Sequence, residues 1–166
     1  MLASLKRVSR WPERIGDVGV VKDLAIHDID LIRHLFNNDI EQIYAISGGL
    51  AHRFENYANI LLRFKDGRSA FIEANWLTPR KIRRLTLTGT EGIIQIEYMN
   101  QEVMVENEKE TYMPFFRQEE PLKLEYLVDS IIKDEAPSPS GEDGLIALKI
   151  CETALKSAHS HSPESL

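Results

Sequence analysis

The chain has a single cysteine, Cys151, among its 166 residues. One thiol excludes an internal disulfide framework and a zinc centre of several cysteines, and it suits a reducing cytoplasmic setting. No apolar run approaches the roughly 20 residues that cross a bilayer, and Met1 to Arg10 has no long apolar stretch of the secretory kind, so membrane partners are not expected. Positive charge is also scarce. Lys and Arg number 20 against 26 Asp and Glu, a net charge of -6. That balance is opposite to the basic footprint that neutralises many phosphates, so a nucleic-acid partner is not expected either. Finally, there is no Gly-x-Gly-x-x-Gly behind a strand and no Gly-x-x-x-x-Gly-Lys-Ser/Thr, and hence no phosphate cradle for a nucleotide within the chain.

What remains has the make-up of a globular protein: 43% hydrophobic residues and 28% charged. At this length one core is expected, and residues 1–166 read as one domain. Behind a lead punctuated by Trp11, Pro12 and Gly16, an apolar-rich segment predicts a helix from about Val21 to Leu35, stopped by Asn37-Asn38. The middle of the chain changes to short runs rich in Ile, Val, Phe, Thr and Tyr. Strands are predicted at Ile40 to Ser47, Ala58 to Phe64, Ser69 to Trp76, Ile82 to Thr88, Gly92 to Tyr98 and Glu102 to Glu106. Asp66-Gly67 closes one hairpin and Gly89 to Gly92 another.

After Pro121, Leu124, Leu127, Val128, Ile131 and Ile132 follow a helical period. Pro137 and Pro139 interrupt it, and Ser140 with Asp143 can cap a last helix over about Gly141 to Ala158. The face of Ala147, Cys151, Ala154 and Ala158 is small enough to lie close on a sheet, and the residues from His159 onward read as a frayed tail. Nothing alternates strand, helix, strand. The expected class is α+β: an open, predominantly antiparallel or mixed six-stranded sheet with helices packed on one face.

At 100° per residue, the first helix gathers Asp23, His27, Asp30 and His34 within an arc of about 60° on an otherwise apolar surface. Burying such groups without partners is costly, so the stripe needs a reason. Acid/base chemistry is one, because a carboxylate one turn from an imidazole can orient it and raise its basicity; His27 would carry the proton and Asp23 would be its partner. A divalent ion held by the same four side chains is a second. The third is structural, with carboxylates complementing the helix dipole and the imidazoles bonded to backbone.

Arg80, Lys81, Arg83 and Arg84 form a local positive run. It could hold a diphosphate, although alternation sends Arg80 and Arg84 to one face and Lys81 and Arg83 to the other, and salt bridges to the acidic segment around Glu106 to Glu110 are the favoured use. Glu73 and Asn75 share a face with Phe71, while Ala70, Ile72, Ala74 and Trp76 share the opposite one. One face should therefore pack, and the other should be wet, lining a site or meeting a second subunit.

The run Gly19-Val20-Val21-Lys22-Asp23-Leu24-Ala25-Ile26-His27-Asp28-Ile29-Asp30-Leu31 resembles the signature of the Gfo/Idh/MocA oxidoreductases, a Gly followed by Asp-x-x-x-His and a second Asp. Tyr57 to Gly67, Glu73-Ala74-Asn75-Trp76, Leu87 to Gly92 and Gly141 to Leu145 agree with the family in order and spacing. Glu73-Ala74-Asn75-Trp76-Leu77-Thr78-Pro79 looks closest to its UDP-N-acetylglucosamine 3-dehydrogenase group. The resemblance implies a C-terminal domain of an NAD(P)-dependent sugar or nucleotide-sugar dehydrogenase, with His27 accepting the proton of a sugar hydroxyl, Asp23 bonded to it, and hydride passing to a nicotinamide. It also implies homo-oligomers formed through the sheet. Among the residues themselves, Tyr57, Asn75 and Trp76 are the candidate sugar contacts and Arg80 and Arg84 the candidate diphosphate contacts, and no metal is expected. NAD or NADP would be bound mainly by an N-terminal Rossmann domain that these residues do not include, so the chain alone is expected to be inactive. The alternative is a non-catalytic oligomerisation or binding module that pairs with a cofactor-bearing partner.

Overall fold

The computed structural model of the chain describes residues 1–13, 17–50, 53–113 and 139–166. Nine strands form one mixed sheet: β1 (Leu2–Arg10), β2 (Ile40–Gly48), β3 (Tyr57–Phe64), β4 (Ser69–Asn75), β5 (Leu77–Thr88), β6 (Ile93–Glu97), β7 (Glu102–Glu106), β8 (Thr111–Tyr112) and β9 (Glu164–Ser165). Their order across the sheet is β8-β7-β6-β5-β1-β4-β3-β2-β9. Two helices are described, α1 (Ile26–Phe36), entered through a π-helical turn at Val21–Ala25, and α2 (Gly141–Ser160). The class is α+β as expected, with nine strands instead of six. The helix predicted after Pro121 falls outside the described residues.

The three additional strands have separate causes. β1 is short on inward apolar residues, because its inward row of Ala3 and Leu5 continues into Arg7, and such a row gives little periodic signal. Yet β1 lies in the middle of the sheet, parallel to β4 and antiparallel to β5. Since β4, β3 and β2 alternate in direction, β2 runs parallel to β1, and α1 is the crossover between them. The strand-helix-strand unit that the pattern did not show is therefore present, split by two inserted strands. β8 and β9 are two-residue additions at the sheet's ends.

β9 overturns the reading of the tail as frayed. Buried Ser157 of α2 accepts from the Ala45 amide (3.1 Å) and donates to the Ser162 carbonyl (2.6 Å). Lys156 and Ser160 both hold Glu164. The last residues thus add to the edge of β2 instead of hanging free.

The helices cover one face of β1, β4, β3 and β2. Ala70, Ile72 and Ala74 of β4, with Ile60, Leu62 and Phe64 of β3, meet Ile29, Ile32 and Phe36 of α1 and Ala147, Ile150, Cys151 and Ala154 of α2. Each such Ile or Leu contributes about 1.5–3 kcal/mol by leaving water. The small face of α2 lets it approach β2 closely, as expected. Burial pushes the Cys151 thiol up to about 12, which makes it an inert core group. α1 ends where Asn37 turns left-handed (φ 43°), and α2 begins with the Ser140–Asp143 capping box. No described helix is long and apolar enough to cross a membrane.

Candidate active site

The π-helical turn and α1 are anchored from outside. Their first amides have no local side-chain cap; instead Val20 N–H donates to the Glu55 carbonyl (2.9 Å) and Val21 N–H to its carboxylate (3.2 Å). Gly19 makes this possible, since a Cβ there would overlap the Glu55 carboxylate. The helix bearing the polar stripe is thus fixed in position by the loop that precedes β3.

Asp23, His27, Asp30 and His34 all line one cavity of 1040 Å³, together with Arg33, Arg7, Arg83 and Asp143. The expected convergence of the stripe is real. Asp23 is close enough to His27 to act on its charge, but no hydrogen bond joins them among the described residues, because Asp23 lies in the wider π turn and His27 in α1. No group of three His, Cys, Asp or Glu suited to a metal ion forms among the described residues.

Behind His27, Asp28 is buried and accepts from Arg7 through Nε (3.0 Å) and Nη2 (2.6 Å), both on Oδ1. Its Oδ2 is buried without a partner among the described residues. Burial raises the Asp28 carboxyl above its usual range, against the pull of Arg7. Burial, followed by the charge of Arg7, lowers the His27 imidazole below 6.5, with a smaller push from Arg83 and opposition from Asp28 and Asp23. The imidazole is therefore neutral at neutral pH and able to accept a proton. At the far end of the cavity Arg33 lies between Asp30 (4.0 Å) and Asp143 (3.8 Å).

The remaining sequence-derived candidates lie elsewhere. Tyr57 and Asn75 are register partners on the open face of the sheet, and Asn75 Oδ1 is occupied by the Leu77 amide (3.1 Å) and the Thr78 hydroxyl (2.8 Å). Trp76 is in the core, edge-on to Trp11 with ring centroids 4.8 Å apart; its buried Nε1 has no partner among the described residues. Arg80 and Arg84 line a separate depression with Lys81 and Glu97, and Arg84 is paired with Glu97 (3.2 Å). None of these five lines the His27 cavity, since alternation along β4 and β5 turns Asn75, Arg80 and Arg84 to the open face. Arg7, Asp28 and the placement of Arg83 at the cavity were missed. Strand parity placed Arg83 opposite Arg84, but only recognition of β1 reveals that Arg7 joins it.

Residues 4–95 match the family model of the GFO/IDH/MocA C-terminal domain. The chain is 25% identical over 155 residues to myo-inositol 2-dehydrogenase from Thermotoga maritima, covering 84% of this chain and 46% of that protein. UDP-N-acetylglucosamine 3-dehydrogenase from Acidithiobacillus ferrooxidans superposes with a TM-score of 0.89 at 16% identity, over 96% of this chain and 53% of that one. Levoglucosan dehydrogenase in complex with NADH and L-sorbose gives 0.88 at 16% identity, over 99% and 58%. At these identities the solved structures share a fold. The chain spans about half the length of the relatives it matches.

Proposed function

The chain belongs to the GFO/IDH/MocA C-terminal domain family, and from that premise we propose that it is the substrate-binding and catalytic domain of an NAD(P)-dependent sugar or nucleotide-sugar dehydrogenase. The observation that carries this reading is the placement of His27 in the wall of a large polar cavity one turn after Asp23, with burial holding its imidazole below the usual range. A secondary alcohol must lose its hydroxyl proton as it is oxidised. His27 accepts that proton, and Asp23, one turn before it, stabilises the imidazolium that forms.

The sequence offers no Gly-x-Gly-x-x-Gly turn for the phosphates of a dinucleotide, so these residues do not supply that cradle. We place cofactor binding in a Rossmann unit outside these 166 residues, where the nicotinamide would supply the hydride acceptor. The chain alone is accordingly inactive in this reading, and a reducing cytoplasm suits it. Substitution His27→Asn in a polypeptide that includes such a unit should lower kcat about 10²–10⁴-fold with the fold intact; unchanged turnover removes His27 from the reaction.

The open face of the sheet supports self-association as part of the same proposal. Ser4, Phe71, Leu61 and Tyr44 form one row across β1, β4, β3 and β2, with Leu61 47% and Phe71 39% exposed. A second copy laid on this face would cover an apolar band while leaving the His27 cavity, on the helix side, open.

A further inference from the structure

Arg7 and Arg83 are direct register partners on β1 and β5, and both side chains reach the His27 cavity. Like charges directly opposite one another destabilise a sheet, so the pair needs a compensating role. Arg7 is partly compensated: its side chain is 12% exposed, and Asp28 Oδ1 takes two of its five N–H donors. Those two bonds fix the guanidinium plane and leave further donors on the cavity side. Arg83 has no ion-pair or hydrogen-bond partner for its side chain among the described residues, and it is half-buried. Of the cavity's other charges, Arg33 lies between Asp30 and Asp143, and Asp23 projects from the opposite, helical wall.

We propose that Arg83, with Arg7 held in place by Asp28, forms an oxyanion-binding edge of the His27 cavity, so that the substrate is a sugar bearing a phosphoryl or carboxylate group. The inference rests on the dehydrogenase reading for the word sugar, and it names the substrate class of that site. Planar guanidinium forks match the oxygens of both groups, and two forks on adjacent strands can grip one anion from neighbouring directions. Recognition would thus come from the sheet wall and proton transfer from the helix wall. Arg80 and Arg84, which the sequence suggested for a diphosphate, lie in a different depression and do not take part in this edge.

The test is an NMR titration of the ¹⁵N-labelled chain, following the Arg83 Nε–H resonance and the His27 imidazole. Glucose 6-phosphate, glucuronate and neutral glucose serve as probes. Saturable movement of both signals with glucose 6-phosphate or with glucuronate, but not with glucose, is expected; whichever anion binds identifies the group. Arg83→Gln should raise the Kd about tenfold or more, whereas Arg63→Gln, an exposed arginine paired with Glu41 elsewhere, should leave it unchanged. No saturable shift with either anion, or an unaltered Kd in Arg83→Gln, overturns the proposal. The readout needs neither cofactor nor turnover, so a failed His27→Asn test and a failed titration are distinguishable.

Discussion

Arg7 donates through both Nε and Nη2 to the same oxygen of Asp28, at 3.0 and 2.6 Å, across 21 residues of sequence. Both side chains are largely withdrawn from water. Removing one partner leaves an isolated buried charge, whereas removing both leaves apolar space. Arg7→Met should therefore cost about 3–5 kcal/mol, and the double variant Arg7→Met/Asp28→Leu should recover most of that loss. Urea unfolding of the three proteins decides the point; a double variant as weak as the single would mean that the pair acts through packing alone.

A second prediction concerns the anchoring of α1. Glu55 supplies both the carbonyl and the carboxylate that accept from Val20 and Val21, and Gly19 leaves room for it. Gly19→Ala displaces the carboxylate and Glu55→Ala deletes it, so each should cost about 1 kcal/mol, the usual worth of an N-cap. Because both remove the same interaction, the double variant should cost little more than either single. Additive losses in thermal unfolding would separate the two residues.

Much of this arrangement is legible in the sequence. β3 and β4 alternate cleanly between core and open face, the Ser140–Asp143 cap obeys a local rule, and the Asp23 to His34 stripe is conspicuous because it interrupts an apolar helix. Arg7 was illegible for the opposite reason: it is a charge in an inward row, where the pattern expects another Leu or Val. β9 was equally hidden, because Glu164 and Ser165 pair with β2 through backbone atoms and through Ser157, contacts that carry no periodicity. Tyr57 and Asn75 are candidate sugar contacts in the sequence, but strand parity turns both to the open face, away from the His27 cavity.

The open face yields a third prediction. Phe71 and Leu61 are directly opposite one another on β4 and β3, and both are exposed in the single chain. If a second copy covers them, Phe71→Asp buries a charge at the centre of the contact and should shift the chain from dimer to monomer in light scattering, with little change in monomer stability. A wild-type chain that stays monomeric at high concentration would remove the sheet from any assembly role.

The last prediction follows from the sign of the His27 shift. Its folded-state value lies below 6.5, because burial first and Arg7 second disfavour the imidazolium. Below the unfolded value, near 6.5, the unfolded chain binds more protons at this position than the folded one. The contribution of His27 to stability is therefore complete above that pH and is lost as pH falls from it through the lower folded-state value. Two measurements follow. The His27 Cε1–H resonance should titrate with a midpoint below 6.5, and Arg83→Gln should move that midpoint upward. Between pH 7 and pH 5 the wild-type chain should lose more stability than His27→Asn, which has no such group to protonate. A midpoint at or above 6.5 would mean that burial and Arg7 do not disfavour the imidazolium, and the loss of stability on acidification ascribed to His27 would disappear with it.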